Sequence, residues 1–177
     1  AKTGPQVEDF VGGIAELGPK LGPLVWQFEA GRRIDADELD AFLALLPRAV
    51  DGRRLRHALE VGDPAAVDAD FIELARRHPG GTVFTDSTEH PSFAALTADF
   101  VYARLMRSQP IETGYPPNEL AQWAERARAW SRGEDIAELP HVGEPAPTMP
   151  RRDVFVYFIS SAKERNPAAA MELIRRL

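Results

Sequence analysis

Five short apolar runs punctuate the chain, and each carries a polar residue at or near its C-terminal end. They occupy residues 23–28, 56–61, 82–87, 100–106 and 154–161. Four of these runs are followed by segments that resemble helices. This order of elements predicts parallel strands joined by crossover helices, which is the α/β class. In such folds the reactive groups lie where the strands end.

The spacing of apolar residues predicts helices over residues 7–17 and 118–132. Asp35 and Asp68 are expected to cap two further helices, and the last helix is expected to open at Asn166 and Pro167. The strands expected at 83–86 and 100–105 are separated by only about a dozen residues, close to the minimum for a parallel crossover. That separation leaves room for one or two helical turns over residues 91–96.

Residues 133–152 are rich in proline and lack periodicity, which predicts a long loop on the N-terminal face of the sheet. We interpret the 177 residues as a single domain. Its five strands fit either an open doubly wound sheet or part of a barrel, and the pattern leaves both open. No GxGxxG or Walker motif follows a strand, so a dinucleotide site has no support.

Side chains of a strand alternate between its two faces. Counting from the apolar residues that suit the helix side predicts an inward polar set of Gln27, Glu60, Asp86, Tyr102 and Arg104. We expect a polar pocket in which Glu60 or Asp86 is the general acid or base and Arg104 anchors an anion or a developing charge. The alternative is a buried structural network in which Arg104 neutralises the carboxylates.

Two loops that follow strands add candidates on the same side of the sheet. Residues 160–167 precede a helix N-terminus, where free N–H groups favour an anion, and Ser160, Lys163 and Arg165 are the expected ligand-binding residues. The alternative there is ordinary capping with solvated charges. In residues 107–117, Tyr115 is expected at a rim or lid, the alternative being a solvated turn.

Composition and charge exclude some classes of function. The net charge of −6 argues against broad nucleic-acid binding. The absence of cysteine excludes disulfides and thiol catalysis. A metal site built from Glu60, Asp86 and His90 has no supporting spacing and is not expected, and the sequence indicates no particular cofactor. No apolar run approaches the ~20 residues of a membrane helix; we expect a cytoplasmic protein without a membrane partner, and make no prediction of its oligomeric state.

Several segments together resemble a known family. They are LGPLVWQF (21–28), HALEV (57–61), FTDS (84–87), TADFVYARLM (97–106) and DVFVYFISSAKERNPAAAMELI (153–174). In order and spacing they resemble the YecE-like family, the domain of unknown function 72. The resemblance implies a TIM-barrel-like fold. Because family members carry their first strands further upstream, it also implies the C-terminal part of a barrel, with about five strands present and the early strands missing.

The resemblance implies architecture more than reaction, because no activity is established for the family. Where the family commonly has an arginine–histidine pair before a proline, this chain has Gly62 and Asp63 before Pro64. The leading interpretation is a barrel protein that binds a small anionic, sugar-like or phosphate-bearing ligand at the strand C-termini, with acid/base chemistry if it is an enzyme. The alternatives are a nucleic-acid-processing barrel protein and a non-catalytic scaffold.

Overall fold

A computed structural model describes residues 3–31 and 35–177. Seven strands are present in this part of the chain: β1 (Leu24–Phe28), β2 (Ala49–Val50), β3 (Arg53–Arg54), β4 (His57–Val61), β5 (Gly80–Thr85), β6 (Phe100–Leu105) and β7 (Asp153–Phe158). Five of them form one sheet in the order β1-β4-β5-β6-β7, and all neighbours in it are parallel. The predicted α/β class with five parallel strands is therefore confirmed. The antiparallel pair β2–β3 was not predicted.

The sheet is strongly curved. Gly22 precedes the edge strand β1, yet a Cβ atom placed on it would lie 4.0 Å from both Phe155 and the Tyr157 hydroxyl of β7, the opposite edge strand. Neighbouring strands are about 4.8 Å apart, so the edges of a flat five-stranded sheet would be too distant for such an approach. One face is consequently concave, and we call it the inner face.

Five α-helices accompany the sheet: α1 (Thr3–Ile14), α2 (Ala36–Leu45), α3 (Ala69–Arg77), α4 (Pro117–Ser131) and α5 (Asn166–Arg176). The two predicted caps are confirmed, because the Asp35 carboxylate accepts hydrogen bonds from the N–H groups of residues 37 and 38 and Asp68 accepts one from Phe71. Asn166 is the first residue of α5, not its cap. Within the described residues, no helix is both long and apolar enough to cross a membrane.

The helical turns predicted over residues 91–96 are wrong, because this crossover is irregular. Its four residues 93–96 are nevertheless buried, and their backbone groups find partners outside any helix. Ala94 N–H donates to Pro140 O at 2.7 Å, and the Thr82 hydroxyl donates to Ala95 O. The short connection buries its apolar side chains by running across the molecule, so tertiary contacts replace the helix.

The core lies mainly between the outer face of the sheet and the helices. One cluster joins β6 and α4 through residues such as Val101, Leu105 and Trp130, and a second joins β4 and α3 through residues such as Leu59 and Ile72. A smaller cluster of Ala58, Val83 and Phe100 occupies the inner face. The alternation predicted for β4 and β6 is thereby confirmed: their apolar residues Leu59, Val61, Val101, Ala103 and Leu105 pack toward the helices.

The proline-rich connection between α4 and β7 is anchored by a buried arginine. Arg152 is only 4% exposed, and its guanidinium donates to the carbonyl oxygens of Gly133, Pro147 and Ala98. Gly133 and Pro147 belong to the connection itself, and Ala98 precedes β6. The side chain therefore fastens this segment beside the N-terminal ends of β6 and β7, away from the strand ends that carry the polar residues.

Candidate functional site

An ion pair between Glu60 of β4 and Arg104 of β6 lies on the inner face, at the penultimate residue of each strand. The side chains are 12% and 24% exposed, respectively. The strand β5 separates β4 from β6, so the two residues meet by projecting from the same face of the curved sheet. The predicted inward orientation of both residues is confirmed, and the two are direct partners.

The polar row extends to both edges of the sheet. Gln27 of β1 is in register with Glu60 and is exposed. On the other side Arg104 is in register with Thr85 of β5 and with Tyr157 of β7. Residues in register on parallel strands share a face. Continued along β4 and β5, the register places Glu60 level with Tyr102, so Arg104 and Tyr157 lie one inward residue further toward the strand C-termini, and the ion pair links the two levels. We call Gln27, Glu60, Arg104 and Tyr157 together the polar row.

Two tyrosines stack beside this row. The rings of Tyr102 and Tyr157 have centroids 4.9 Å apart with an interplanar angle of 25°. Burial is the main cause that raises the pKa of Tyr102 to about 12. The neighbouring Tyr157 raises this pKa further, whereas the charge of Arg104 lowers it. Tyr102 thus keeps its proton at neutral pH and stays a hydrogen-bond donor. Tyr157 was not among the predicted site residues; the alternation of β7, which sends Val154, Val156 and Phe158 to the helix side, would have identified it.

The inner face is filled at the N-terminal ends of the strands. The Phe100 and Phe155 rings have centroids 6.3 Å apart, and the Arg56 guanidinium lies 6.0 Å and 5.6 Å from those centroids. Arg56 also pairs with Asp153. Because this end is packed with its own side chains, a ligand on the inner face would have to contact the polar row.

Asp86 is not part of the Glu60–Arg104 pair. The prediction that it shares an inward face with Phe84 is wrong, because Phe84 packs against Trp123 and Trp130 of α4. The Asp86 carboxylate instead accepts hydrogen bonds from Met106 N–H at 2.6 Å and from the Tyr115 hydroxyl at 2.9 Å. Burial raises the pKa of the Asp86 carboxyl, and these hydrogen bonds oppose that rise.

Tyr115 is fully buried, unlike a residue at a rim. Its hydroxyl oxygen accepts a hydrogen bond from Arg107 N–H at 2.6 Å while its proton is donated to Asp86. Burial and the Asp86 charge raise the pKa of the Tyr115 hydroxyl. We call Asp86, Tyr115 and the N–H groups of Met106 and Arg107 the loop anchor, since they fix the segment after β6 to the end of β5.

The connection from β7 to α5 carries the remaining predicted residues. Ser160 and Ser161 both have left-handed backbone, with φ of 62° and 47°. Their backbone and side chains join neighbouring loops: Ser161 Oγ donates to Met106 O at 2.6 Å, and Ser160 O accepts from Ser108 and Asn166. Lys163 is exposed, whereas Arg165 is half-buried. The structure therefore places these residues beside the segment that follows β6; their role in binding stays a prediction.

The described residues contain no group of three or more histidines or acids positioned to hold a metal ion. His90 is exposed, and Glu60 and Asp86 have separate partners. The geometry of this part of the chain thus gives no support to a metal site at Glu60, Asp86 and His90. Two cavities, of 660 and 570 Å³, lie elsewhere: one between α4, β7 and α5, the other between α2 and α3.

Gly62 occupies a crowded position directly after β4. Its N–H donates to Phe28 O at 2.9 Å, and a Cβ atom there would lie 2.7 Å from Ala30 N and 3.1 Å from Phe28 O. Both obstacles are backbone atoms, so a larger residue requires a different path of the chain after β1. The arginine of the family pattern would not fit this backbone, and Gly62 is matched to its local structure.

Comparisons with known proteins identify a family and one fold relative. The family model described as "Protein of unknown function DUF72" matches residues 1–177. A crystal structure of a DUF72 family protein from Thermotoga maritima superposes with a TM-score of 0.68 at 16% sequence identity. The match covers 99% of this chain and 65% of that chain, so this chain spans about two thirds of its relative. No protein of curated function matches.

Proposed function

The chain belongs to the DUF72 family of proteins of unknown function, and from that premise we propose that it binds a small polar ligand, anionic or sugar-like, at the C-terminal ends of the strands. The observation that carries the proposal is the Glu60–Arg104 pair, brought together from two strands that are not neighbours. Polar and aromatic side chains flank it on the same face of the sheet. Converging polar groups of this kind are the usual feature of a small-molecule site.

The pair offers complementary hydrogen-bonding groups to such a ligand. Arg104 has five N–H donors, of which the Nη1 group faces Glu60. The Glu60 carboxylate is acceptor-only when ionised, and Gln27 adds an amide with both donors and an acceptor. If the site is catalytic, Glu60 is the proton-transfer group in our proposal. Asp86 is assigned a structural role, because both of its carboxylate oxygens already accept hydrogen bonds.

We further propose that the five strands belong to a (β/α) barrel. The sequential all-parallel order, the approach of β1 to β7 and the superposition on a DUF72 structure support this architecture. In barrels of this type the functional groups lie at the C-terminal ends of the strands. The polar row has that position, whereas the connection anchored by Arg152 lies at the opposite end.

Substitution of Arg104 tests the proposed site. The full chain is screened by ligand-observed NMR and thermal shift against monosaccharides, their phosphate esters and inorganic phosphate. Arg104→Met and Glu60→Gln should each weaken binding by about tenfold or more, since a hydrogen bond to a charged group contributes about 1.5–3 kcal/mol. The matched control is Arg54→Met, which removes an exposed ion pair with Asp99 at the opposite end of the sheet and should leave binding unchanged.

A non-catalytic scaffold is the second candidate, favoured by the fact that Arg104 already has Glu60 as its partner. A structural pair of this kind predicts a different result for the same variants. Arg104→Met would lower the unfolding free energy by an amount approaching about 3–5 kcal/mol, the cost of removing one member of a fully buried pair, since this pair is part-buried. On the scaffold hypothesis, no compound in the panel would bind the unmodified chain. That result would refute the binding proposal in favour of the scaffold.

A further inference from the structure

Tyr157 has an environment that differs from those of the other aromatic residues of the inner face. Phe100 is buried and Phe155 is half-buried at the N-terminal ends of the strands, whereas Tyr157 is 41% exposed. One of its ring faces stacks on Tyr102 at 4.9 Å. The stack restricts the ring of Tyr157 while leaving much of its surface accessible. An exposed aromatic ring held by a neighbour is a preorganised platform for a flat or ring-shaped ligand.

The polar groups lie next to this platform. Tyr157 is in register with Arg104 across β6 and β7, and neighbouring strands are about 4.8 Å apart. Arg104 in turn pairs with Glu60. A ring lying against Tyr157 would therefore extend its edge toward a guanidinium and a carboxylate. Tyr102, which keeps its proton, adds a hydroxyl on the same side.

The charge of this group indicates what kind of ring fits. Glu60 and Arg104 neutralise each other, so the centre of the row has no net charge from this pair. A phosphate group would have to compete with Glu60 for Arg104 and would be repelled by that carboxylate. A hydroxyl both donates and accepts, so adjacent hydroxyls can donate to Glu60 and accept from Arg104 without separating the pair.

We propose that Tyr157 is the stacking platform for a neutral polyhydroxylated ring, and that the preferred ligand class is a monosaccharide or glycoside. This inference rests on the proposed function, since it names the ligand class of the same site. The C–H face of the ring packs on Tyr157, and its hydroxyl edge bonds Glu60 and Arg104. A phosphate substituent is not required for binding at this position.

The test uses the full chain and three probe sets. Neutral monosaccharides with their methyl glycosides, and the nucleosides adenosine and uridine, are followed by saturation-transfer NMR; inorganic phosphate, which has no carbon-bound protons, is followed by line broadening in phosphorus NMR. Tyr157→Leu removes the ring while keeping an apolar side chain, and Tyr157→Phe is its matched control. We expect monosaccharides to bind, Tyr157→Leu to weaken binding about three- to tenfold, and Tyr157→Phe to stay within about twofold, in line with the energies of aromatic contacts. Circular dichroism checks that each variant is folded.

Each other outcome is decisive. If sugars bind and Arg104→Met abolishes binding while Tyr157→Leu has no effect, the platform is wrong and the proposed function stands. If nucleosides bind in a Tyr157-dependent manner and sugars do not, the ligand class is overturned. If only inorganic phosphate binds, the sugar class is overturned, and the ligand of the proposed function is anionic. If no probe binds, the platform and the binding site are both rejected.

Discussion

Tyr115→Phe is the substitution whose consequence follows most directly from the structure. The ring of Tyr115 is fully buried, so the phenylalanine fills the same space and only the hydroxyl is lost. That hydroxyl donates to Asp86 at 2.9 Å and accepts from Arg107 N–H at 2.6 Å. Its removal therefore leaves a half-buried carboxylate oxygen and a backbone donor without these partners.

The cost can be worked from these two bonds. A hydrogen bond to a charged group contributes about 1.5–3 kcal/mol and a neutral one about 0.5–1.5 kcal/mol, so the unfolding free energy should fall by about 2–4.5 kcal/mol. For a chain of this length each kcal/mol lowers the melting temperature by roughly 2–4 °C. Tyr157→Phe removes the same atom from an exposed ring and should cost less than about 0.5 kcal/mol.

The stability that Tyr115→Phe loses should also depend on pH. The Tyr115 hydrogen bond is one of the interactions that hold down the pKa of Asp86, so the variant should have a higher Asp86 pKa than the wild type. A carboxyl with a higher folded-state pKa binds its proton at a higher pH, which stabilises the folded variant on acidification. The stability deficit of the variant should therefore shrink as the pH falls through that raised pKa.

Urea unfolding followed by circular dichroism at pH 7 and at pH 5 measures both effects, with the Asp86 pKa read from carboxyl carbon shifts in NMR. A deficit below 0.5 kcal/mol at pH 7, or a deficit equal to that of Tyr157→Phe, would refute the structural role of the loop anchor. A deficit that grows on acidification would refute the assignment of its pH dependence to Asp86.

Three further predictions concern residues outside the polar row. Burial of His57 lowers its pKa from the usual 6.5. As the pH falls, the unfolded chain therefore takes up a proton on this residue before the folded chain does. The unfolding free energy should fall as the pH drops below 6.5, by at most about 1.4 kcal/mol per pH unit, and urea titrations of His57→Gln should lack this contribution. Gly133→Ala should destabilise the chain by more than about 3 kcal/mol, because the added Cβ would lie 1.8 Å from Met149 O. The control Gly143→Ala also has a positive φ but has open space around it, so thermal melts should show a cost of only about 1–2 kcal/mol. Arg152→Met removes three hydrogen bonds to carbonyls and should speed limited proteolysis within residues 133–150, which would stay protected if the arginine were unimportant.

Local signals in the sequence were sufficient for much of the fold. The apolar runs predicted the five parallel strands because side-chain alternation and length are properties of a single segment. Asp35 and Asp68 predicted helix starts because a cap involves only neighbouring backbone N–H groups. The same local reasoning failed for residues 91–96, where the hydrogen-bond partner of Ala94 is Pro140, distant in sequence.

For the candidate site, the sequence by itself determined which strand ends carry polar side chains and, for Glu60 and Arg104, which face they occupy. Only the tertiary structure decided the partners. Glu60 and Arg104 meet across β5 because both project from the inner face of strands that lie two apart in the sheet, and Asp86, which follows the last residue of β5, turns to Tyr115 instead. Tyr157 joins the row through the register of β7 on β6. Alternation is set by the pleat of one strand, whereas partnership depends on register and curvature, which involve residues far apart in the chain.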